Sequence, residues 1–528
     1  MTIKEKFKTY INAQVARILT QMDRDPDSPT FGCFDRNYWH YKIRDFPSSL
    51  LQQGVFTIEA IRQGYISSIP SSPKIEDWSV GAINALARQI DHQGRVNEYY
   101  PFEASYPGAA FALYAACRVL FDWQQNAPQL VDLVDKSALK RLAKHLGKRQ
   151  EIQASNQQAA GLAGLALAVK LKLISPNEAN LEKLATELFE SQHTEGWFDE
   201  YGGPDFGYLT VTIDALIDYF DATSDRRALI AIDKAVIFLA QLVGPDSCLP
   251  STLNSRNTDY VVPYGLVRSA ARNPIAAWLV ETLFNNIDSP SSFLWATDDR
   301  YHLHYIFASV VRSLPYLERM RNPKPLILQK STWLSDCGYW IYRNSNAEWT
   351  AYVAAKKGGL VRIHRKNGTP TVDYGWRIYK NNSIWTSNWW SSNWEITQQE
   401  NTILIRGLCQ KTKFHVGTPA KHIILRILAF LLRNKLIPLL KKAMIFQPGK
   451  VNGAAFEREI KISDLELKIS DKIGTFPGAK AFPSPRQNLR HVASADSFSR
   501  EELLPSLLKM QPQNLNTEVR IESIWEAK

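Results

Sequence analysis

Two stretches of this 528-residue chain bring together side chains that could hold an anion and move a proton. Ser155-Asn156-Gln157-Gln158-Ala159 opens an alanine-rich run. Glu195-Gly196-Trp197-Phe198-Asp199-Glu200-Tyr201-Gly202-Gly203-Pro204-Asp205-Phe206-Gly207-Tyr208 leads into a second apolar run. An amide at Asn156 or Gln157 offers neutral N–H donors for a carboxylate. A carboxylate held that way makes the neighbouring C–H more acidic, so a base and an acid complete the chemistry. His193, or the pair His302 and His304, supplies candidates for the base, and Tyr201 and Tyr208 supply candidates for the acid. Each has a structural alternative. Asn156 lies where a helix cap would, and His193 lies at a helix C-terminus, where the dipole favours a cation. His302 and His304 flank one leucine before an apolar helix, and Tyr208 could be a core aromatic.

Two further clusters are dense in aromatic and charged residues. Phe31–Gly54 sets Tyr38, His40 and Arg44 among six aromatics, either as a ligand-facing rim or as an arm pinned by ring burial and ion pairs. Arg95–Phe111 carries Glu98, Glu103 and Tyr106, and two carboxylates at suitable separation could serve a hydrolase as acid and base.

These residues need elements to position them. From Ser48 to about Leu317, apolar residues recur at i, i+3, i+4 and i+7 in segments bounded by Gly, Pro, Asp or Ser, which predicts helices joined by short turns or longer aromatic loops. The irregular spacing favours an (α/α) toroid over an open solenoid. In a toroid the longer loops gather at one rim, so the candidates above would share a concavity. At Asn322-Pro323-Lys324-Pro325 the period changes to alternation in Tyr-, Trp-, Val-, Ile- and Thr-rich segments. The expected fold is therefore α+β multidomain: a helical toroid over 1–325, then an antiparallel, sandwich-like β domain over 326–528. Residues 421–446 interrupt the strands as an amphipathic helical insertion that Pro438 should split. Its apolar face either packs on the sheet or lies on an anionic membrane, with Arg426, Arg433, Lys435, Lys441 and Lys442 outward.

The net charge of +11 is concentrated. Between Lys356 and Lys450 there are seventeen Lys and Arg against three acids, an excess of fourteen, which leaves the rest of the chain slightly acidic. Such a field attracts polyanions. An acidic polysaccharide is the expected partner. No helix-turn-helix, RNP or zinc motif points to nucleic acid, and no glycine-rich phosphate loop points to a nucleotide. Five scattered cysteines without a Cys-x-x-Cys pair argue against a zinc site or disulfide framework, so neither metal nor cofactor is expected. The first 25 residues lack the apolar core of a secretory signal, which sets the cytoplasm as the default expectation, with a periplasmic or membrane-peripheral location the alternatives.

Helices followed by a β domain, with these motifs, resemble the heparinase II/III-like polysaccharide lyases. The Glu195–Tyr208 stretch is similar to the family's aromatic loop, Ser155–Ala159 to its Asn-His position, and Asp336-Cys337-Gly338-Tyr339-Trp340-Ile341-Tyr342-Arg343 to the first strand of its β domain. His364 and Val372-Asp373-Tyr374-Gly375 are similar to the strands that follow. The resemblance implies β-elimination from a uronic-acid-containing polysaccharide, with Asn156, Gln157, Tyr208, Tyr201, His193, His302 and His304 as the catalytic pool. Tyr38, His40, Arg44, Glu98, Tyr106 and Trp197 of the rim, with Arg362, His364, Arg365 and Trp376 of the β domain, would bind the polymer. Indole faces such as Trp376 suit stacking on sugar rings. The chain departs from the family at Gln157, where a histidine is usual, at Phe206, where a tyrosine is usual, and in keeping His364 alone of two histidines. Those departures give the alternative reading: a non-catalytic polysaccharide-binding factor in capsule or exopolysaccharide biosynthesis.

Overall fold

The computed structural model describes residues 1–253, 255–289, 292–391, 393–412, 416–442, 452–487 and 512–527. Helices run from Ile3 to Arg319, and the first strand begins at Ser331. Six helices contact one another in a closed cycle: α1 (Val55–Arg62), α2 (Tyr106–Asn126), α3 (Ser155–Lys170), α4 (Phe206–Thr223), α5 (Tyr264–Ala270) and α6 (Ala308–Ser313), the last returning to α1. Outer helices pack on them one by one: Lys74–Gln89 on α1, Lys136–Leu146 on α2, Leu181–Glu190 on α3, Arg226–Leu242 on α4, Pro274–Leu283 on α5 and Ile3–Leu19 on α6.

The sequence dictates which helix lies inside. Helix α3 buries residues on all sides and is rich in Ala and Gly, so its neighbours come close; a Cβ on Gly164 would meet the backbone of Tyr114 on α2 at 2.9 Å. Lys136–Leu146 instead buries only the stripe Ala138, Leu139, Leu142, Ala143 and Leu146, the pattern of a surface helix. Because each inner helix but the last is followed by an outer one that returns the chain, the inner helices run the same way, and the loops before them fall on one side.

Among the described residues the strands form three five-stranded antiparallel sheets. The first is a meander of Ser331–Leu334, Tyr339–Arg343, Trp349–Ala354, Leu360–Arg365 and Thr371–Asp373. Both its faces are covered. Tyr339, Ile341, Tyr352 and Leu360 join the core of the helical part, while Trp340, Tyr342, Trp349, Val353 and Ile363 join a second core among the sheets. The two-residue period of a strand sends alternate side chains to different cores. Arg458, Asp373 and Asp471 form a buried ion cluster inside the β part.

Within the insertion, α7 (Pro419–Leu432) and α8 (Leu436–Lys441) are separated at Arg433, whose φ is +50°, and not at Pro438. Pro438 falls in the first turn of α8, where its missing N–H has no intrahelical role. Residues 443–446 of the expected insertion lie outside the described residues.

Candidate functional site

The start of α3 is the centre of the rim. Its N-cap, Ala154, has no capping side chain. Glu200 from the adjacent loop takes that role: its Oε1 accepts from the Asn156 backbone N–H (2.8 Å), and its Oε2 accepts from Asn156 Nδ2 (2.7 Å). Accepting at both oxygens, it satisfies the Asn156 N–H, one of those that the start of a helix leaves without intrahelical partners. Asn156 is therefore the second residue of the helix, capped by Glu200, and not the cap itself. Both residues are buried, and Asn156 Oδ1 has no partner within the protein. Burial pushes the Glu200 carboxyl up to about 8, against the pull of the Asn156 hydrogen bonds. Glu200 is thus largely neutral at pH 7.

Around this pair lie the other polar groups of the rim. Gln157 Nε2 donates to the Tyr201 hydroxyl (3.3 Å). Tyr201 itself has φ +57°, a left-handed conformation that a tyrosine adopts only under constraint, at a cost of about 1–3 kcal/mol. The Arg256 guanidinium lies over the Tyr201 ring, 3.7 Å from its centre, buried and with Nε and Nη1 unpartnered. Asp205 caps α4 by accepting from the Tyr208 N–H (3.0 Å), and the Thr258 hydroxyl also donates to it. Burial raises Asp205 to about 6. The Tyr208 ring meets Tyr260 and Tyr305 edge-on at 6.2 and 6.1 Å.

The β part closes over the same loops. Trp390 Nε1 donates to the Gly202 carbonyl (2.8 Å), and Gly203 lies so close to the indole that any side chain there would collide with it. Lys357 Nζ donates to Asn257 Oδ1 (2.6 Å). Lys441 of α8 pairs with Glu151 (2.6 Å) and lies 5.1 Å from the centre of the Tyr201 ring.

Asn156 and Gln157 at the start of α3 are thus linked to Glu200 and Tyr201 of the neighbouring loop, while Tyr208 in the first turn of α4 packs on Tyr260 and Tyr305. Several other candidates lie elsewhere. His193 stacks on Trp197 at 3.5 Å and contacts Asp199 (3.4 Å), and Trp197 is itself buried with its N–H on Glu195. That pair anchors the loop, with His193 left half-buried. His302 is buried against Tyr10 and Phe307, and burial lowers its imidazole to about 3, too weak a base to take a proton. The His304 side chain lies outside the described residues. Tyr106 is buried, donating to Gln158 (2.9 Å).

Glu98 and Glu103 are both buried as staples of their own loop: Glu98 accepts from the Ser105 hydroxyl, Glu103 from the N–H groups of Glu98 and Tyr99. Burial and the neighbouring Glu98 hold the Glu103 carboxyl well above its usual range. Arg44 is tied to Asp35 and to the Glu98 carbonyl, Tyr38 is half-buried, and His40 is exposed between the rings of Trp39 and Tyr41.

The β-domain candidates serve the junction or the core. Arg362 donates to His364 Nε2 (2.8 Å) and Ser251 (2.9 Å), and His364 Nδ1 pairs with Asp246 (2.8 Å), which pins the first sheet to the loop before α5. Arg365 covers Trp525, and Trp376 is buried with its N–H on Asp471. The excess of basic residues is likewise dispersed, with Lys357 and Arg362 buried, Arg406 on Glu457 and Arg426 on Asp45.

Sequence reasoning missed Arg256, Asp205 and Glu200 as site residues. The signal for Arg256 was present: Asn254-Ser255-Arg256-Asn257-Thr258 is a polar, irregular stretch before an inner helix, like the loops that were singled out.

No family model and no curated protein matches the sequence. Solved structures do match. Chondroitin AC lyase of Streptomyces coelicolor A3, in complex with chondroitin sulphate, superposes with a TM-score of 0.54 at 11% identity, over 90% of this chain and 67% of that one. A tyrosine-to-alanine mutant of the same enzyme gives 0.50 at 12% identity over the same shares. The fold is that of a polysaccharide lyase. Heparinase III matches with a TM-score of 0.44 at 8% identity, over 89% of this chain and 75% of that one.

Proposed function

We propose that the chain is a polysaccharide lyase that cleaves a uronic-acid-containing polymer by β-elimination at the rim of a helical toroid. The observation that carries this reading is the buried Arg256 guanidinium, with two unpartnered nitrogens, set against Tyr201 and beside the Asn156–Glu200 pair. A buried cation without a carboxylate partner is costly unless a ligand completes it. A uronate carboxylate is a ligand of the right charge.

In this reading Arg256 and Asn156 hold the carboxylate and stabilise the charge that develops on it as the C5 proton leaves. Glu200 decides which way Asn156 points. As a neutral acid it donates from Oε2 to Asn156 Oδ1 once the amide turns over, which frees the Nδ2 hydrogens for the substrate. The base falls to Tyr201 or Tyr208 in this reading, since His302 is buried and too weakly basic and His193 is stacked on Trp197. The electron pair of the C5–H bond forms the C4–C5 double bond, the C4–O bond breaks, and the leaving oxygen takes a proton from a tyrosine. The match to a lyase complexed with chondroitin sulphate supports an acidic polysaccharide as the substrate class.

The test is to incubate the full chain with a panel of uronate polymers, chondroitin sulphate included, and follow the ultraviolet absorbance of the conjugated double bond. Arg256→Ala should lower kcat/KM by about 10²–10³, the usual loss of one charge-stabilising donor. Glu200→Gln keeps both a donor and an acceptor and should retain activity, whereas Glu200→Ala should not. Salt-sensitive binding to such polymers with no unsaturated product from any of them overturns the lyase reading. It would favour the binding-factor reading, which the seating of Lys441 beside Tyr201 supports.

A further inference from the structure

The insertion turns its apolar side outward. Along α7, Ile423, Ile427 and Leu431 recur every four residues with Ile424 beside them, and these side chains are 60, 55, 67 and 56% exposed. Leu439 of α8 is exposed as well. α7 rests on the helical rim beside that face: Arg426, itself exposed, pairs with Asp45 through both terminal nitrogens (2.8 and 3.0 Å), the half-exposed Phe430 meets Phe102 edge-on at 5.3 Å, and Ala429 on the far side is buried. Lys441 adds its bond to Glu151. The expectation that the apolar face packs on the sheet is therefore overturned, as is the outward placement of Lys441, whereas Arg426 stays exposed while it pairs with Asp45. An exposed run of isoleucines and leucines on one helix is apolar surface of the kind that marks a contact site.

Charge identifies the occupant. Residues 401–456 contain no Asp or Glu, while Pro419–Lys442 carry six Lys and Arg. With Arg426 and Lys441 engaged by the rim, Lys421, Lys435 and Lys442 remain exposed around the apolar face. A 14-residue helix is about 21 Å long at 1.5 Å per residue, short of the roughly 30 Å of a bilayer core. Among the described residues no helix is long and apolar enough to cross a membrane. An apolar face flanked by cations, on a helix too short to span, fits the plane of a lipid headgroup layer.

We propose that α7 and α8 dock the protein on an anionic lipid surface, with Ile423, Ile427 and Leu431 entering the acyl boundary and Lys421, Lys435 and Lys442 meeting the headgroups. Because the segment is fixed to Asp45, Phe102 and Glu151, docking would place the rim beside the bilayer. This inference does not depend on catalysis.

Co-sedimentation of the full chain with two kinds of vesicle tests it: phosphatidylcholine alone, and equal parts phosphatidylcholine and phosphatidylserine. The chain should pellet with the anionic vesicles and fall off as salt rises. The triple variant Ile423→Asp, Ile427→Asp, Leu431→Asp should lose about tenfold or more of that binding. Its melting temperature should be unchanged, since all three side chains are exposed. Lys421→Glu with Lys435→Glu and Lys442→Glu should weaken binding to the anionic vesicles. Failure of the parent to pellet with either vesicle, or equal pelleting of the triple Asp variant, overturns the proposal. So does a parent dimer that the triple Asp variant converts to a monomer without any vesicle binding, since the face would then join two copies of the chain.

Discussion

The ring of inner helices holds a buried polar cluster at each end, and the two are built on opposite plans. In one, Asp218 of α4 is met by Arg312 of α6, by Arg118 of α2 and by the hydroxyls of Tyr114 and Tyr264, while Arg268 pairs with Asp221 (2.9 Å). Burial alone would raise the Asp218 carboxyl, yet Arg312, Arg118 and Arg268 hold it at about 2. At the rim the carboxyls of Glu200 and Asp205 are raised, and the Arg256 guanidinium lies over a tyrosine ring rather than on a carboxylate. One cluster is paired charge that ties four helices together. The other is poorly matched charge, held in place by its surroundings, which is where chemistry on an outside ligand is expected.

The largest effect should come from breaking the paired end. Arg312→Met leaves Asp218 buried with fewer partners and should destabilise the protein by about 3–5 kcal/mol, read as a fall in denaturant midpoint. The same change at the rim, Arg256→Met, removes a buried cation that has no carboxylate on it. Stability should hold or rise, so a loss as large as that of Arg312→Met would erase the distinction between the two ends.

A second contrast lies in pH. Glu200 binds its proton more tightly folded (about 8) than unfolded (4.5). Its contribution to stability is therefore full below 4.5 and is lost as pH rises to about 8. Asp218 is held at about 2 against 3.8 unfolded, so its contribution is present above 3.8 and lost as pH falls through 2. Unfolding free energies of the parent and Glu200→Gln should converge on one side of that upper window and diverge across it. Parallel profiles from pH 4.5 to 8 would mean that Glu200 ionises normally.

In catalysis, if Glu200 steers Asn156 as proposed, kcat/KM should fall above about pH 8 in the parent and less in Glu200→Gln. The smallest expected effect is on the β-domain clamp: Trp390→Phe keeps the ring against Gly203 but loses the bond to the Gly202 carbonyl, worth about 0.5–1.5 kcal/mol. Its signature should be a raised KM more than a lowered kcat, because only the loop position is loosened.

Periodicity carried the helical half. The i, i+3, i+4, i+7 spacing marked the helices, and the change at Asn322-Pro323 preceded the first strand at Ser331. Local composition also drew attention to Asn156, Gln157 and Tyr201, which the fold holds together with Glu200 at the start of α3. These readings use only neighbours in sequence, which the chain itself supplies.

Partners distant in sequence decided the rest. His302 looks like a base until Tyr10, 292 residues away, buries it, and Arg362 and His364 look like ligand groups until Ser251 and Asp246 claim them. Trp376 disappears into a second core with Asp471. Asn156 looked like a cap, but Glu200, 44 residues on, caps the helix and holds the asparagine. Alternation fixed that neighbouring residues of a strand point opposite ways, but not that both faces of the first sheet would be covered. Amphipathicity marked the described part of the insertion, Pro419–Lys441, as helical, but which face turned to the protein depended on Asp45, Phe102 and Glu151. A side chain's type sets what it can do. Burial and charge pairing, which follow from packing between remote segments, set what it does.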